Sequence, residues 1–148
     1  MGSVEAKQGN RFQDDFEIMW KALGKHAWIY RFADAAQNYG RNKRLVATDE
    51  QPADFLCAHQ GFLGLVECKS TRDQEGFKRS LVRRSQFKGA VESRLSRTPY
   101  FFAVRNENTH QVFLIPAAMV LNQAVLTWDS LKHLEWKGDA ACLSNILT

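Results

Sequence analysis

Cysteine, proline and long apolar runs are all scarce in this 148-residue chain, which has three cysteines and three prolines. No apolar stretch approaches the roughly 18 residues of a membrane-spanning helix, and Met1 to Gln8 lacks the apolar core of a signal peptide, so the expected location is the cytoplasm. Cys57, Cys68 and Cys142 are too few and too scattered for a disulfide framework or a zinc site. They are expected to be reduced and structural. His26, His59, His110 and His133 are dispersed without ligand spacing, which argues against a histidine metal site. Repeats, low-complexity tracts and linkers are also missing, so residues 1–148 are expected to form a single domain, long enough to bury its own core.

What is present is a soluble composition with a mild basic excess: 45% hydrophobic, 24% charged, net charge +4. The distribution of charge matters more than the total. Between Arg72 and Arg97 lie eight basic residues (Arg72, Lys78, Arg79, Arg83, Arg84, Lys88, Arg94, Arg97) against three acidic ones. A second cluster, Arg41, Lys43 and Arg44, lies in the segment leading to the apolar stretch that starts near Phe55. Such clusters suit a phosphate backbone, and equally the solvated face of an ordinary domain.

The most specific signal is Gln51-Pro52-Ala53-Asp54-Phe55-Leu56, followed across Gln60-Gly61 by Leu65-Val66-Glu67-Cys68-Lys69. With Gln60-Gly61 as a two-residue hairpin loop, antiparallel partners sum to 121, and Asp54 falls opposite Glu67. Like charges that close destabilise a sheet unless a cation lies between them. Lys69 shares the face of Glu67, one pleat further on. The rest of the hairpin is apolar on both faces: Leu56, Ala58, Leu63 and Leu65 on the carboxylate side, Phe55, Cys57, Phe62, Val66 and Cys68 on the other. That pattern predicts an inner pair of strands covered by helices on each side.

Along the chain, Phe12, Phe16, Met19, Trp20 and Leu23 predict a first helix over Asn10 to Leu23, with an Asn10–Gln13 capping box. Trp28 to Phe32 reads as a strand, and Ala33 to Gln51 as an exposed loop. After the hairpin, Phe77 to Leu95 reads as a second helix, Tyr100 to Val104 and Gln111 to Ile115 as strands, and Pro116 to about Gln123 as a short helix. Trp128, Leu131, Leu134 and Trp136 either close the core or form an interface. The fold class expected is α/β, a mixed central sheet flanked by helices with the acidic site at one sheet edge.

With Asp54 and Glu67-Cys68-Lys69 behind a first helix, the chain resembles the PD-(D/E)XK nuclease superfamily, whose core is that of restriction endonucleases. Within it, the stretch from Gly9 to about Leu121 resembles Holliday-junction resolvases of the RecU and archaeal Hjc types. Those families carry a first-helix Glu four residues after a Gly, then the Asp, the Glu-x-Lys and a Gln on the next helix. Here Gly9, Asp54, Glu67, Lys69 and Gln86 match, whereas Gln13 stands where a carboxylate belongs and Glu17 lies one turn on. The resemblance implies a catalytic set of Asp54, Glu67, Lys69, Gln86 and Gln13 or Glu17. It implies Mg²⁺, with Mn²⁺ as a substitute, held by Asp54, Glu67 and the Cys68 carbonyl, and a homodimer cutting a DNA four-way junction symmetrically. Arg41, Lys43, Arg44, Arg79, Arg83, Arg84 and Lys88 are the candidate DNA contacts. Arg31 and Asp34 line the scissile phosphate or cap a loop. Another nuclease of the superfamily, or a non-catalytic DNA-binding relative, is the alternative.

Overall fold

The computed structural model describes residues 4–33 and 51–147. Helix α1 spans Val4–Lys21 and buries Phe12, Phe16 and Trp20, three aromatics one helical turn apart. It begins six residues before the expected cap, so Asn10 lies inside the helix and no capping box forms there. The segment before Asn10 contains Glu, Ala, Lys and Gln, good helix formers that outweigh the cost of Gly9. Gly24, at φ +97°, ends the helix in a conformation that only glycine adopts freely.

Strands β1 (Ala27–Arg31), β2 (Phe55–His59) and β3 (Phe62–Thr71) form an antiparallel meander. The β2–β3 register pairs His59 with Phe62 and Phe55 with Val66, as the two-residue loop requires. Gln60 and Gly61 both have positive φ, 43° and 86°, the signature of a type I′ turn. β3 then pairs in parallel with β5 (Tyr100–Asn106), which pairs with β6 (Val112–Pro116), giving the order β1-β2-β3-β5-β6. The carboxylates therefore sit at the end of an inner strand pair, not at a sheet edge.

The parallel step requires a crossover, and this is where the structure departs most from expectation. Instead of one helix from Phe77, the chain forms β4 (Gly76–Lys78), a 3₁₀ turn (Arg79–Leu81) and α2 (Arg84–Leu95). β4 pairs with β7 (Val125–Thr127), far ahead in sequence. Gly76 passes so close to the Leu126 carbonyl that a Cβ would lie 2.0 Å from it. Phe77 is buried beside Phe102, with ring centroids 6.2 Å apart. Helix α3 (Ala117–Asn122) has Pro116 as its cap residue. A second 3₁₀ segment (Asp129–Leu134) and α4 (Ala140–Leu147) complete the chain.

The register assigns side chains to faces. Phe55, Cys57, Val66, Cys68, Phe101 and Ala103 face α1, where Phe16 meets Phe55 at 5.5 Å. Trp136 closes this core against Phe16 and Trp20, and Leu131 and Leu134 are buried with it. The C-terminal apolar group is thus core. Burial pushes the Cys57 and Cys68 thiols well above their ordinary range, which keeps them protonated. The opposite face carries Glu67, Tyr100 and Phe102 and is covered by α2 and its neighbours only toward β5. Toward β1 it is open among the described residues: Trp28, Tyr30 and Leu63 are each about half exposed.

Candidate active site

Asp54 immediately precedes β2. Its backbone carbonyl accepts from the Phe32 N–H at 2.9 Å, which ties it to the continuation of β1. Its carboxylate Oδ2 accepts from the Cys68 N–H, also at 2.9 Å. Because the N–H and C=O of one residue point to the same side of a strand, the Cys68 carbonyl opens toward Asp54 as well, beyond the last rung of the β2–β3 ladder. The segment before Asp54 is pinned from two sides. Tyr100 donates its hydroxyl to the Pro52 carbonyl at 2.7 Å, and Gly89 of α2 brings that helix close, leaving 3.1 Å between a Cβ and the same oxygen.

Glu67 lies on β3 and is 3% exposed. Gln86, on the first turn of α2, donates its amide to Glu67 Oε1 while its carbonyl accepts from the Arg83 N–H at 2.9 Å, capping the helix. The helix start thus dictates how the amide is turned, and the amide fixes the carboxylate. Lys69 Nζ lies 3.7 Å from Glu67 Oε1 with little exposure of its own.

Burial dominates the electrostatics of this cluster. It pushes the Glu67 carboxyl up to about 8, with the neighbouring Asp54 charge adding to the effect and Lys69 and Arg83 opposing it. Asp54 is raised by the same burial, against the Cys68 N–H and Lys69. The Lys69 ammonium is lowered, first by burial and then by Arg83, while Glu67 and Asp54 hold it up. Two carboxyls pressed together out of water share a proton. A hard divalent cation is the other way to satisfy them. The donors fit: two carboxylates and a backbone carbonyl, all oxygen, just past the last β2–β3 pair. Among the described residues no third histidine, cysteine or carboxylate completes a protein cage. Magnesium, which keeps several waters, suits such a sparse set better than calcium.

The first helix reaches this centre through Arg31. Arg31 donates to Asp14 at 2.6 Å and to Gln13 at 3.0 Å, and lies 3.7 Å from Glu17. Its guanidinium stacks 5.7 Å above the Phe55 ring, and its charge is felt at Asp54. Gln13 and Glu17 therefore hold Arg31 in place. Asp14 and Tyr100 are neighbours of the site that the motif pattern does not single out. Asp14 is close to one turn from Glu17 on the flank facing β1, a spacing signal present in the sequence. Tyr100 has none, because its place depends on the parallel register that sets it beside Leu65.

The proposed DNA contacts divide. Arg41, Lys43, Arg44 and Asp34 lie outside the described residues. Arg79 turns inward and donates to the Leu121 carbonyl at 3.0 Å, ending α3. It also lines, with Lys78, Arg84 and Phe87, a cleft of about 590 Å³ beside α2. Arg83, Arg84 and Lys88 lie toward solvent, and Lys88 makes a surface pair with Glu92 at 3.8 Å.

The fold is thus a mixed five-stranded sheet between helices, with Asp54 just before its second strand and Glu67-Cys68-Lys69 within its third. The chain is similar in structure to Hjc, a Holliday junction resolvase from the archaeal hyperthermophile Archaeoglobus fulgidus. The TM-score is 0.57 at 12% identity, over 87% of this chain and 90% of that one. No protein-family model matches the sequence, and no curated protein does.

Proposed function

We propose that the chain is a Mg²⁺-dependent endodeoxyribonuclease that resolves DNA four-way junctions as a homodimer, the whole chain acting as one nuclease domain. The observation that supports this most is the buried Asp54–Glu67 pair flanked by Lys69 and oriented by Gln86, on a fold shared with a resolvase. The metal would be held by Asp54, Glu67 and the Cys68 carbonyl, and when bound it supplies an acidified water and offsets charge on the phosphate. Gln86 holds Glu67 so that it needs no reorientation during the reaction. Lys69, its basicity reduced by burial and by Arg83, is placed to take a proton from the attacking water or to stabilise the charged phosphate. Arg83, Arg84 and Lys88 track the DNA backbone from the α2 side.

The test is cleavage of a labelled four-way junction, a matched linear duplex and a flap, with and without Mg²⁺. Metal-dependent, paired cuts in the junction at a rate well above the duplex are expected. Linear duplex cut as readily as the junction defeats the resolvase reading and leaves a general nuclease. Neutralising Arg83, Arg84 and Lys88 together should weaken binding to every DNA form and flatten the salt dependence, by about 0.9 in log–log slope for each phosphate that is no longer neutralised. An unchanged slope removes α2 from the interface.

Arg31 gives a further check. It offsets the Asp54 charge, so Arg31→Gln should raise the Asp54 pKa and move the acidic limb of the pH–rate profile upward. A loss of about tenfold at pH 7, largely recovered in more alkaline buffer, is expected. A uniform loss at all pH values would mean that Arg31 matters only for packing α1.

A further inference from the structure

The open part of the catalytic sheet face carries an ordered row of aromatic rings. Trp28 pairs with Ala58 and Tyr30 with Leu56, and those residues pair with Leu63 and Leu65, so all of them share a face with Glu67. Extending the same register places Phe32 beside Asp54, where its N–H already bonds the Asp54 carbonyl. Trp28, Tyr30 and Phe32 are therefore consecutive side chains on one face, leading away from the carboxylates at about 7 Å per pleat repeat. Trp28 and Tyr30 lie nearly parallel, 15° apart with centroids at 6.3 Å, and Tyr30 meets Phe32 edge-on at 5.5 Å. Their exposure is 51% for Trp28 and 52% for Tyr30. At the far end of the row Lys25 and His26 are exposed.

An apolar surface used only for packing has no need of flat rings in file, and a row that runs up to Asp54 is a poor place for a greasy protein contact. Sheet-mounted aromatics with a cation at the end match the way unpaired nucleotides are bound, bases on rings and phosphates on cations. An unstacked strand advances by about twice the ~3.4 Å rise of a stacked one, close to the pleat repeat. We infer that Trp28 and Tyr30 form a stacking platform for unpaired DNA bases next to the scissile phosphate. The inference rests on the nuclease reading above and adds a substrate feature to it: a strand that is unpaired or easily unstacked on one side of the cut.

The full chain would be titrated, in EDTA so that nothing is cut, against a fluorescently labelled oligothymidylate and a matched blunt duplex. Trp28→Ala and Tyr30→Ala should each lower oligothymidylate affinity by about 5- to 100-fold, the usual loss per stacked base, with duplex affinity changed less than twofold. Trp28→Phe should restore most of the affinity while abolishing the quenching of tryptophan fluorescence on binding. Circular dichroism confirms that the variants fold, which two half-exposed sites should permit. Equal oligothymidylate affinity in wild type and both alanine variants overturns the proposal. So does a shift from dimer to monomer in sedimentation with oligothymidylate affinity unchanged, which would make this face a contact between copies. Loss of binding in the variants together with no junction cleavage by the wild type keeps the platform and rejects the resolvase reading.

Discussion

Glu67→Gln is expected to abolish DNA cleavage, by at least about a thousandfold, and at the same time to make the metal-free protein more stable at alkaline pH. The second half follows from the sign of the pKa change. Glu67 titrates near 4.5 when unfolded and at about 8 in the fold, so between those values the folded chain holds a proton that the unfolded chain has lost. Stability then falls as pH rises through that window, and the full penalty is present above about 8. Glutamine is a permanent neutral stand-in for the protonated acid, and its carbonyl still accepts from Gln86. The variant should gain about 1–3 kcal/mol at pH 8 to 9, a rise of roughly 3–10 °C in Tm for a domain of this size. At pH 4 the two proteins should melt together. Thermal melts in EDTA at several pH values and cleavage assays in Mg²⁺ check both halves. Wild-type cutting by the variant would remove Glu67 from the chemistry, and a lower Tm at alkaline pH would remove the electrostatic argument.

Mg²⁺ affinity should depend steeply on pH, rising about tenfold per unit up to about pH 8 and levelling off above, because the metal displaces the proton shared by Asp54 and Glu67. Between pH 6 and pH 8 the gain is about a hundredfold. Isothermal titration calorimetry in buffers of different ionisation enthalpy would count the proton released, with about one expected near neutrality. Asp54→Asn removes the charge that ranks next after burial in raising Glu67, so its affinity should be weaker but its pH dependence should flatten at lower pH. Release of no proton at pH 6.5 would mean that the pair is already ionised without metal, contrary to its burial.

The hairpin and its chemistry are readable because their rules are local. A two-residue loop at Gln60-Gly61 leaves one register, which pairs Phe55 with Val66 and, carried one residue further, brings Asp54 to Glu67. Lys69 follows from the pleat alone, and the α1 aromatic stripe from helical period. The crossover misleads for the opposite reason. Phe77 and Leu81 mimic helical spacing, but Phe77 is a strand residue whose partner, Leu126, lies in a segment that shows no clear period. The first-helix position is half legible: Gln13 and Glu17 do lie on the flank near the site, yet both meet Arg31, a strand residue whose side is set only by the register of β1 against β2.

Alternation along a strand and one tight turn are enough to group Asp54, Glu67 and Lys69 as an oxygen-rich candidate site from residue order alone. How strongly that group holds its protons depends instead on the folded chain around it. The pKa of about 8 at Glu67 comes first from its burial in the folded chain and then from the neighbouring Asp54 charge, both set by what packs around β3. Packing likewise decided that Trp136, Leu131 and Leu134 are core while Trp28 and Tyr30 are surface. Burial is a property of what packs against a residue from elsewhere in the chain, and no local pattern contains that information.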